Sequence, residues 1–299
     1  MTKLERYEFS ADQPGLHIVF LGNVHGNEPY GRIALERLRN SLQNGNLSLK
    51  QGRVTLLPCC NPQAAAQNMR FVDVNLNRMI GRDLVELHKD AYECDFAHQI
   101  MDVIDTADIL IDLHSFTQTM PPCVMCIDES DAARALAKMT AITRIVCDSP
   151  FLTRHGSQTT VHYARSMSKP AVLVECGSHN DPTTIEVAYD VILRVLQGFN
   201  MIEPTSGDNA KTDEGNKHGE YIVIRSAIYR HADQELAFPL SEVDFIKMGD
   251  PLFHCLKTDK IVRAEDSGYL FMKNANTPKG EEYAYICDFY NDWPRQVPA

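Results

Sequence analysis

The sequence predicts an α/β fold, a sheet flanked by helices, followed by a smaller C-terminal all-β domain. Three observations point that way. Over the first two thirds of the 299 residues, short apolar runs alternate with longer helix-like ones. Most short runs are continuously apolar rather than strictly alternating, which suits strands covered on both faces. From Met201 to Gly219, "MIEPTSGDNAKTDEGNKHG" carries almost no apolar residue, and beyond it come β-rich runs separated by turn residues.

In chain order, strands are expected at 16–22 ("LHIVFLG"), 53–59 ("RVTLLPC"), 108–114 ("DILIDLH"), 123–127 ("CVMCI"), 144–148 ("RIVCD") and 171–177 ("AVLVECG"). Helices are expected at 29–43, 83–106, 130–142 and 182–200. Pro29 fits a first helical turn, where its missing N–H has no partner to lose. After the polar stretch, "EYIVIRSAIYRH", "FPLSEVDFIKMGDPLFHCL", "KIVRAEDSGYLFMK" and "EEYAYICDFY" read as strands with turns between them. The expected division is 1–203, a linker at 204–219 and a β domain at 220–299, in line with about 100–200 residues per domain. No internal repeat is visible.

Bulk composition narrows the function. Hydrophobic residues make up 44% and charged residues 23%, as in ordinary globular proteins. The net charge is −11 with no Lys/Arg block, so nucleic acid and anionic membrane are poor partners. Any anion site must carry its own arginines. No apolar run approaches the roughly 20 residues of a membrane span, and "MTKLERYEFSADQPG" lacks the apolar segment of a secretory signal. The nine cysteines, an odd number, then read as reduced thiols of a cytoplasmic protein. Whether copies of the chain pair as a homo-oligomer is left open.

The chemistry concentrates at strand ends. "FLGNVHGNEPYG" places His25 and Glu28 just past the first long apolar run. Alone, the pair is explained by a turn hydrogen bond and a helix N-terminal charge. The carboxyl end of a strand is, however, where ligands of open α/β sheets collect. "ILIDLHS" puts His114 in the same kind of place, with Asp112 on the same side of its strand, where a carboxylate commonly orients a ligating ring. "AVLVECGS" puts Glu175 after four apolar residues, costly without a partner or a task. Two histidines and a glutamate make a usual donor set for catalytic zinc, and a separate carboxylate can carry the proton of water. In "NPQAAAQNMRFVDVNLNRM", Arg70, Asn77 and Arg78 fall within nine residues. Two guanidiniums and an amide suit a carboxylate or a developing oxyanion. A solvated loop with surface arginines explains any one of them alone.

The order His25-Gly-Asn-Glu28, Asn61-Pro62, Arg70, Asn77-Arg78, Asp112-Leu-His114 and Glu175-Cys-Gly resembles the aspartoacylase and succinylglutamate desuccinylase family. The resemblance covers most of residues 16–200. It implies a zinc-carboxypeptidase-like mixed sheet in a zinc-hydrolase catalytic domain, with one Zn2+ per chain held by His25, Glu28 and His114. It implies Glu175 as general base and acid, Arg70 on the scissile carbonyl, and Asn77 and Arg78 on the substrate carboxylate. The run "RSMSKPAVLVE" is similar to one that aspartoacylases carry ahead of their catalytic glutamate, which assigns Arg165 to a second carboxylate. The implied reaction is amide hydrolysis of a small anionic N-acyl amino acid, N-acetylaspartate- or N-succinylglutamate-like.

Two positions depart from the family pattern. Asn75 stands where the family often has Asp, so either Asp73 steadies an arginine in its place or the arginine is freer. Val161 stands where aspartoacylases place a tyrosine, with Tyr163 nearby and Tyr283 or Tyr285 as replacements. The C-terminal segment resembles barrel-sandwich modules that carry lipoyl or biotinyl groups, but Asp266-Ser267-Gly268 offers no lysine. A structural or gating domain is expected, partly covering the channel as in the family. The rival readings are a metallocarboxypeptidase acting on short peptides, a non-catalytic metal-binding protein of the same fold, and a thiol redox module built on Cys123 and Cys126. His162, His179 and His254 lack ligand spacing and are expected to be satisfied structural histidines. The sequence contains neither a Gly-x-Ser-x-Gly motif nor a phosphate-binding Gly-rich loop.

Overall fold

The structure is a computed structural model that describes residues 3–127, 130–147, 159–204, 220–231, 233–277 and 279–294. The expected linker lies outside these residues except for Pro204. The chain divides into two compact units, Met1–Ile145 with Gly156–Lys217, and Val146–His155 with His218–Ala299.

The first unit is a sheet between helices. Its strands are β1 (Tyr7–Ser10), β2 (His17–Gly22), β3 (Arg53–Leu57), β4 (Ile109–Phe116), β5 (Cys123–Cys126) and β7 (Ala171–Ser178), with β6 (Arg144–Cys147) next to β5. The order is β1-β3-β2-β4-β7-β5-β6. The pairs β3–β2, β2–β4 and β4–β7 are parallel, while β1 and β5 pair antiparallel with β3 and β7, so the sheet is mixed. Every residue of β2 and β7 is buried, as continuous apolar runs require when helices cover both faces. The helices are α1 (Pro29–Gln43), α2 (Pro62–Ala66), α3 (Arg82–Leu87), α4 (Cys94–Thr106), α5 (Asp131–Met139), α6 (Thr160–Ser166) and α7 (Thr184–Gly198).

The single helix expected at 83–106 is two helices, α3 and α4. The apolar face is interrupted: Leu87 is 76% exposed, whereas Glu93, at the start of α4, is fully buried. The strand expected at 53–59 stops at Leu57, because Pro58 has no N–H to continue the ladder. β1 and α6 are too short to show a period. α6 is marked instead by its cap, Thr159, whose hydroxyl accepts from His162 N at 3.3 Å.

In the second unit, β8 (Glu220–Tyr229), β14 (Glu282–Tyr290), β13 (Gly268–Phe271) and β10 (Phe245–Ile246) form one antiparallel sheet, in that order. β12 (Lys260–Arg263), β11 (Pro251–Cys255) and β9 (Gln234–Leu236) form another. Ile228, Ile246, Leu270 and Ile286 of the first pack with Leu252 and Phe253 of the second in one core. Tyr283 belongs to that core, its ring 5.5 Å from Phe253, so it is spoken for by packing. At the 266–268 turn, Arg225 donates to Asp266 Oδ2 at 2.5 Å and to the Ser267 carbonyl. All nine cysteines are free thiols, including the buried Cys123 and Cys126.

Candidate metal centre

The parallel strands β3, β2, β4 and β7 bring their carboxyl ends to one edge of the sheet. β2 is followed by Asn23, left-handed at φ 48°, whose Nδ2 donates to the carbonyls of His25 and Gly26 at 3.0 and 2.9 Å. A Cβ on Gly26 would lie 2.2 Å from the carbonyl carbon of Ala64, so only glycine fits this turn. Glu28 occupies the N-cap of α1, with Pro29 following, but its side chain does not cap the helix. It turns inward instead. Glu28 Oε1 lies 2.8 Å from His25 Nδ1, and Oε2 lies 2.9 Å from His114 Nδ1 and accepts from Ser115 N at 3.1 Å. Donor atoms of His25, Glu28 and His114 all lie within 4.8 Å of one another, and all three residues are buried.

The far side of the His25 ring is also held, and that of His114 faces a carboxylate. His25 Nε2 donates to Asn75 Oδ1 at 3.1 Å. His114 Nε2 lies 3.0 Å from Asp112 Oδ2, which accepts from Thr160 Oγ1 at 2.5 Å. Both imidazoles therefore point Nδ1 at Glu28. Burial, then Arg70, pushes His25 down to about 4, so it is neutral. Its one proton goes to Asn75, and its Nδ1 lone pair then faces a Glu28 oxygen. Burial opposes protonation of His114, yet Asp112 and Glu28 outweigh it and hold the ring well above the usual imidazole value. Burial likewise opposes the Glu28 charge, and the two imidazoles outweigh it, keeping the carboxyl well below its ordinary range.

These features fit a divalent cation. His2Glu is a usual zinc donor set, and the facing lone pairs of His25 and Glu28, here bridged by the Arg70 guanidinium, are aimed as metal donors. Glu175 points to the same requirement. It is buried, its Oε2 has no hydrogen-bond partner, and its backbone pairs with His114 across β4–β7. Burial first, and the charge of Glu28 second, raise it to about 8.

Arg70 lies at the mouth of the cluster. Its Nη1 is 3.0 Å from Glu28 Oε1 and 3.2 Å from His25 Nδ1, and Gly26 N donates to its carbonyl at 3.1 Å. Asn77 is buried on a 3-10 turn, Leu76–Arg78, and its Oδ1 accepts from Thr160 N at 3.0 Å. Arg78 donates to the Asn77 carbonyl. Arg165, on α6, donates to the carbonyl of Ile127, at the end of β5. Asp73, expected to steady an arginine, accepts from Tyr92 N at 2.8 Å. Tyr163 donates to Asp105. Of the histidines expected to be structural, His162 Nδ1 lies 2.8 Å from Thr159 Oγ1 and His254 Nε2 lies 2.6 Å from Asp259 Oδ1, while His162 Nε2 and His179 Nδ1 are buried atoms with no hydrogen-bond partner among the described residues. Sequence reasoning named Asn61 in the motif without giving it a role and missed Glu93 and Thr160; all three brace the site. Only Asn61 carried a local signal, its Asn-Pro step.

Fold and site together define an α/β protein whose strand ends gather a buried His–Glu–His cluster able to hold one metal ion. Residues 14–198 match the succinylglutamate desuccinylase/aspartoacylase catalytic domain, and the chain belongs to that family. An N-acyl-aromatic-L-amino acid amidohydrolase (carboxylate-forming) of Xenopus laevis is 26% identical over 275 residues, covering 83% of this chain and 86% of that one. Rat aspartoacylase (Rattus norvegicus) is 28% identical over 183 residues, 56% of each chain. The crystal structure of a succinylglutamate desuccinylase/aspartoacylase from Rhodobacter sphaeroides aligns with a TM-score of 0.66 at 20% identity, over 94% of this chain and 87% of that one. That likeness shows a common mixed α/β fold.

Proposed function

We propose that this chain is a zinc-dependent hydrolase that cleaves the amide bond of a small N-acyl amino acid to a carboxylic acid and an amino acid. The observation that carries the reading is the convergence of His25 Nδ1 and His114 Nδ1 on the two oxygens of Glu28. His25, Glu28 and His114 are the ligands of one zinc ion. Bound zinc supplies Lewis acidity, so hydroxide-like attack is available at neutral pH. Glu175 takes the proton of the attacking water and passes it to the departing amine. Arg70 faces the oxyanion that develops on the amide carbonyl. Because Asn77 Oδ1 is committed to Thr160 N, its Nδ2 is the donor left for the substrate carboxylate, alongside Arg78. Arg165 binds a second carboxylate, which makes N-acetylaspartate- or N-succinylglutamate-like compounds the leading substrates.

A second substrate class has its own support. A relative matched over most of this chain is named for N-acyl aromatic amino acids, and Val161 replaces an aspartoacylase tyrosine. The reading assigns residues 1–203 to catalysis, 204–219 to a linker and 220–299 to a barrel-sandwich-like domain that favours small substrates over peptides. Nine free thiols support a reducing, cytoplasmic setting. Among the described residues no helix is long and apolar enough to cross a membrane.

The test is a panel of N-acetylaspartate, N-succinylglutamate, N-acetylated aromatic amino acids and dipeptides, with zinc and after chelation. Metal-dependent release of an amino acid from an N-acyl compound supports the reading. Cleavage of dipeptides alone identifies a carboxypeptidase. Zinc binding without turnover of any substrate identifies a non-catalytic relative.

A further inference from the structure

The segment from Arg70 to Arg78 carries four groups of the site, yet its only regular structure is one 3-10 turn. Something other than a backbone ladder must hold it. Glu93 lies at the N-cap of α4 but does not cap that helix. Its side chain is completely buried and points back into the segment. Glu93 Oε1 accepts from Val72 N at 2.6 Å and from Asn61 Nδ2 at 3.2 Å. Glu93 Oε2 accepts from Asp73 N and Val74 N, both at 3.2 Å. Four donors meet two oxygens, the pattern a carboxylate anion satisfies and an amide cannot. Asn61 closes the circuit, because its own N–H donates to the Asn23 carbonyl at the end of β2, and Asn23 holds the His25–Gly26 turn.

We infer that Glu93 is a positioning residue, the buried anchor that sets Arg70, Asn77 and Arg78 against the His25–Glu28 turn. It acts through three consecutive amides of the segment and through Asn61. The consequence is selective: removing the anion loosens the arginine segment, while His25, Glu28 and His114 keep their own contacts.

The test uses the full chain and Glu93→Gln, which preserves volume and turns an N–H2 toward N–H donors. Hydrogen exchange at 72–78 should quicken roughly tenfold or more, as expected for losing charge-assisted bonds to a buried group, with β2 and β4 unchanged. Zinc content should stay within about twofold of wild type, since no ligand contact is altered. The kinetic arm rests on the deacylase reading: kcat/KM should fall by about 10²-fold, as for a misplaced positioning group. Glu93→Asp, which keeps the charge, should recover part of both effects. Should the Gln variant not accumulate as folded protein, the Asp variant takes its place with the same readouts. Native exchange over 72–78, or loss of zinc in step with activity, overturns the inference. If the wild-type protein hydrolyses no N-acyl amino acid, the functional reading falls and the exchange result alone decides the role of Glu93.

Discussion

Asn75 holds the outer nitrogen of His25, where Asp112 stands behind His114. One imidazole thus has a neutral partner and the other an anionic one. A carboxylate behind a ligating ring raises its basicity, so Asn75→Asp should tighten zinc binding and Asn75→Ala should weaken it by about 10–100-fold, both read by competition with a chelator. Glu175 offers a proton count. In the metal-free fold its pKa is about 8 against 4.5 for an ordinary glutamate, so the folded state keeps a proton that the unfolded chain has lost. Metal-free protein should therefore lose stability as pH rises from about 4.5 to about 8, and Glu175→Gln should flatten that dependence. Calorimetry of zinc binding near pH 7 should register fewer released protons for the variant. Glu175→Ala should lower kcat by about 10²–10⁴-fold with zinc retained. His25, Glu28, His114 and Glu175 were legible because each breaks or ends an apolar run. Glu93 was not, because its reason to be buried lies with amides about 20 residues earlier, and no local spacing encodes that.

Turns and caps decide how these residues are presented by their elements. Gly26 abuts the backbone of Ala64 and Ala65, and a methyl group there must push α2 off the end of β3. Gly26→Ala should therefore cost several kcal/mol, on the order of other overpacked sites, and weaken zinc binding together with urea stability. Lys169 closes the opposite end of the sheet. Its ammonium donates to the carbonyls of Ile104, Asp105 and Ala107 at 2.9, 2.7 and 2.7 Å, satisfying the C-terminal turn of α4. Lys169→Met should lower stability by about 1–3 kcal/mol in urea titration with zinc affinity unchanged, since the amino group is far along the strand from His114. Long apolar runs revealed the strands because burial on both faces leaves no polar position. Boundaries such as the α3–α4 break were hidden, because Leu87 fits the helical period and only tertiary packing leaves it in solvent.

The whole molecule has two cores, and the donor atoms of the candidate centre all belong to the first. Ile286→Ala in the core of the second should cost about 2–5 kcal/mol there, shifting one calorimetric transition while zinc affinity holds. The compositional break after Met201 reads as a boundary between α/β and β segments because its polar run offers little to a core. The pairing of the two β sheets was not foretold, because register depends on partners far along the chain. The parallel alignment of β4 with β7, His114 beside Glu175, has a consequence for biosynthesis. On the proposed assignment, all three metal donors lie within the first 114 residues synthesised, and the proposed proton carrier follows only at residue 175. The proposed site is therefore complete only once the last parallel strand has been made and paired with β4.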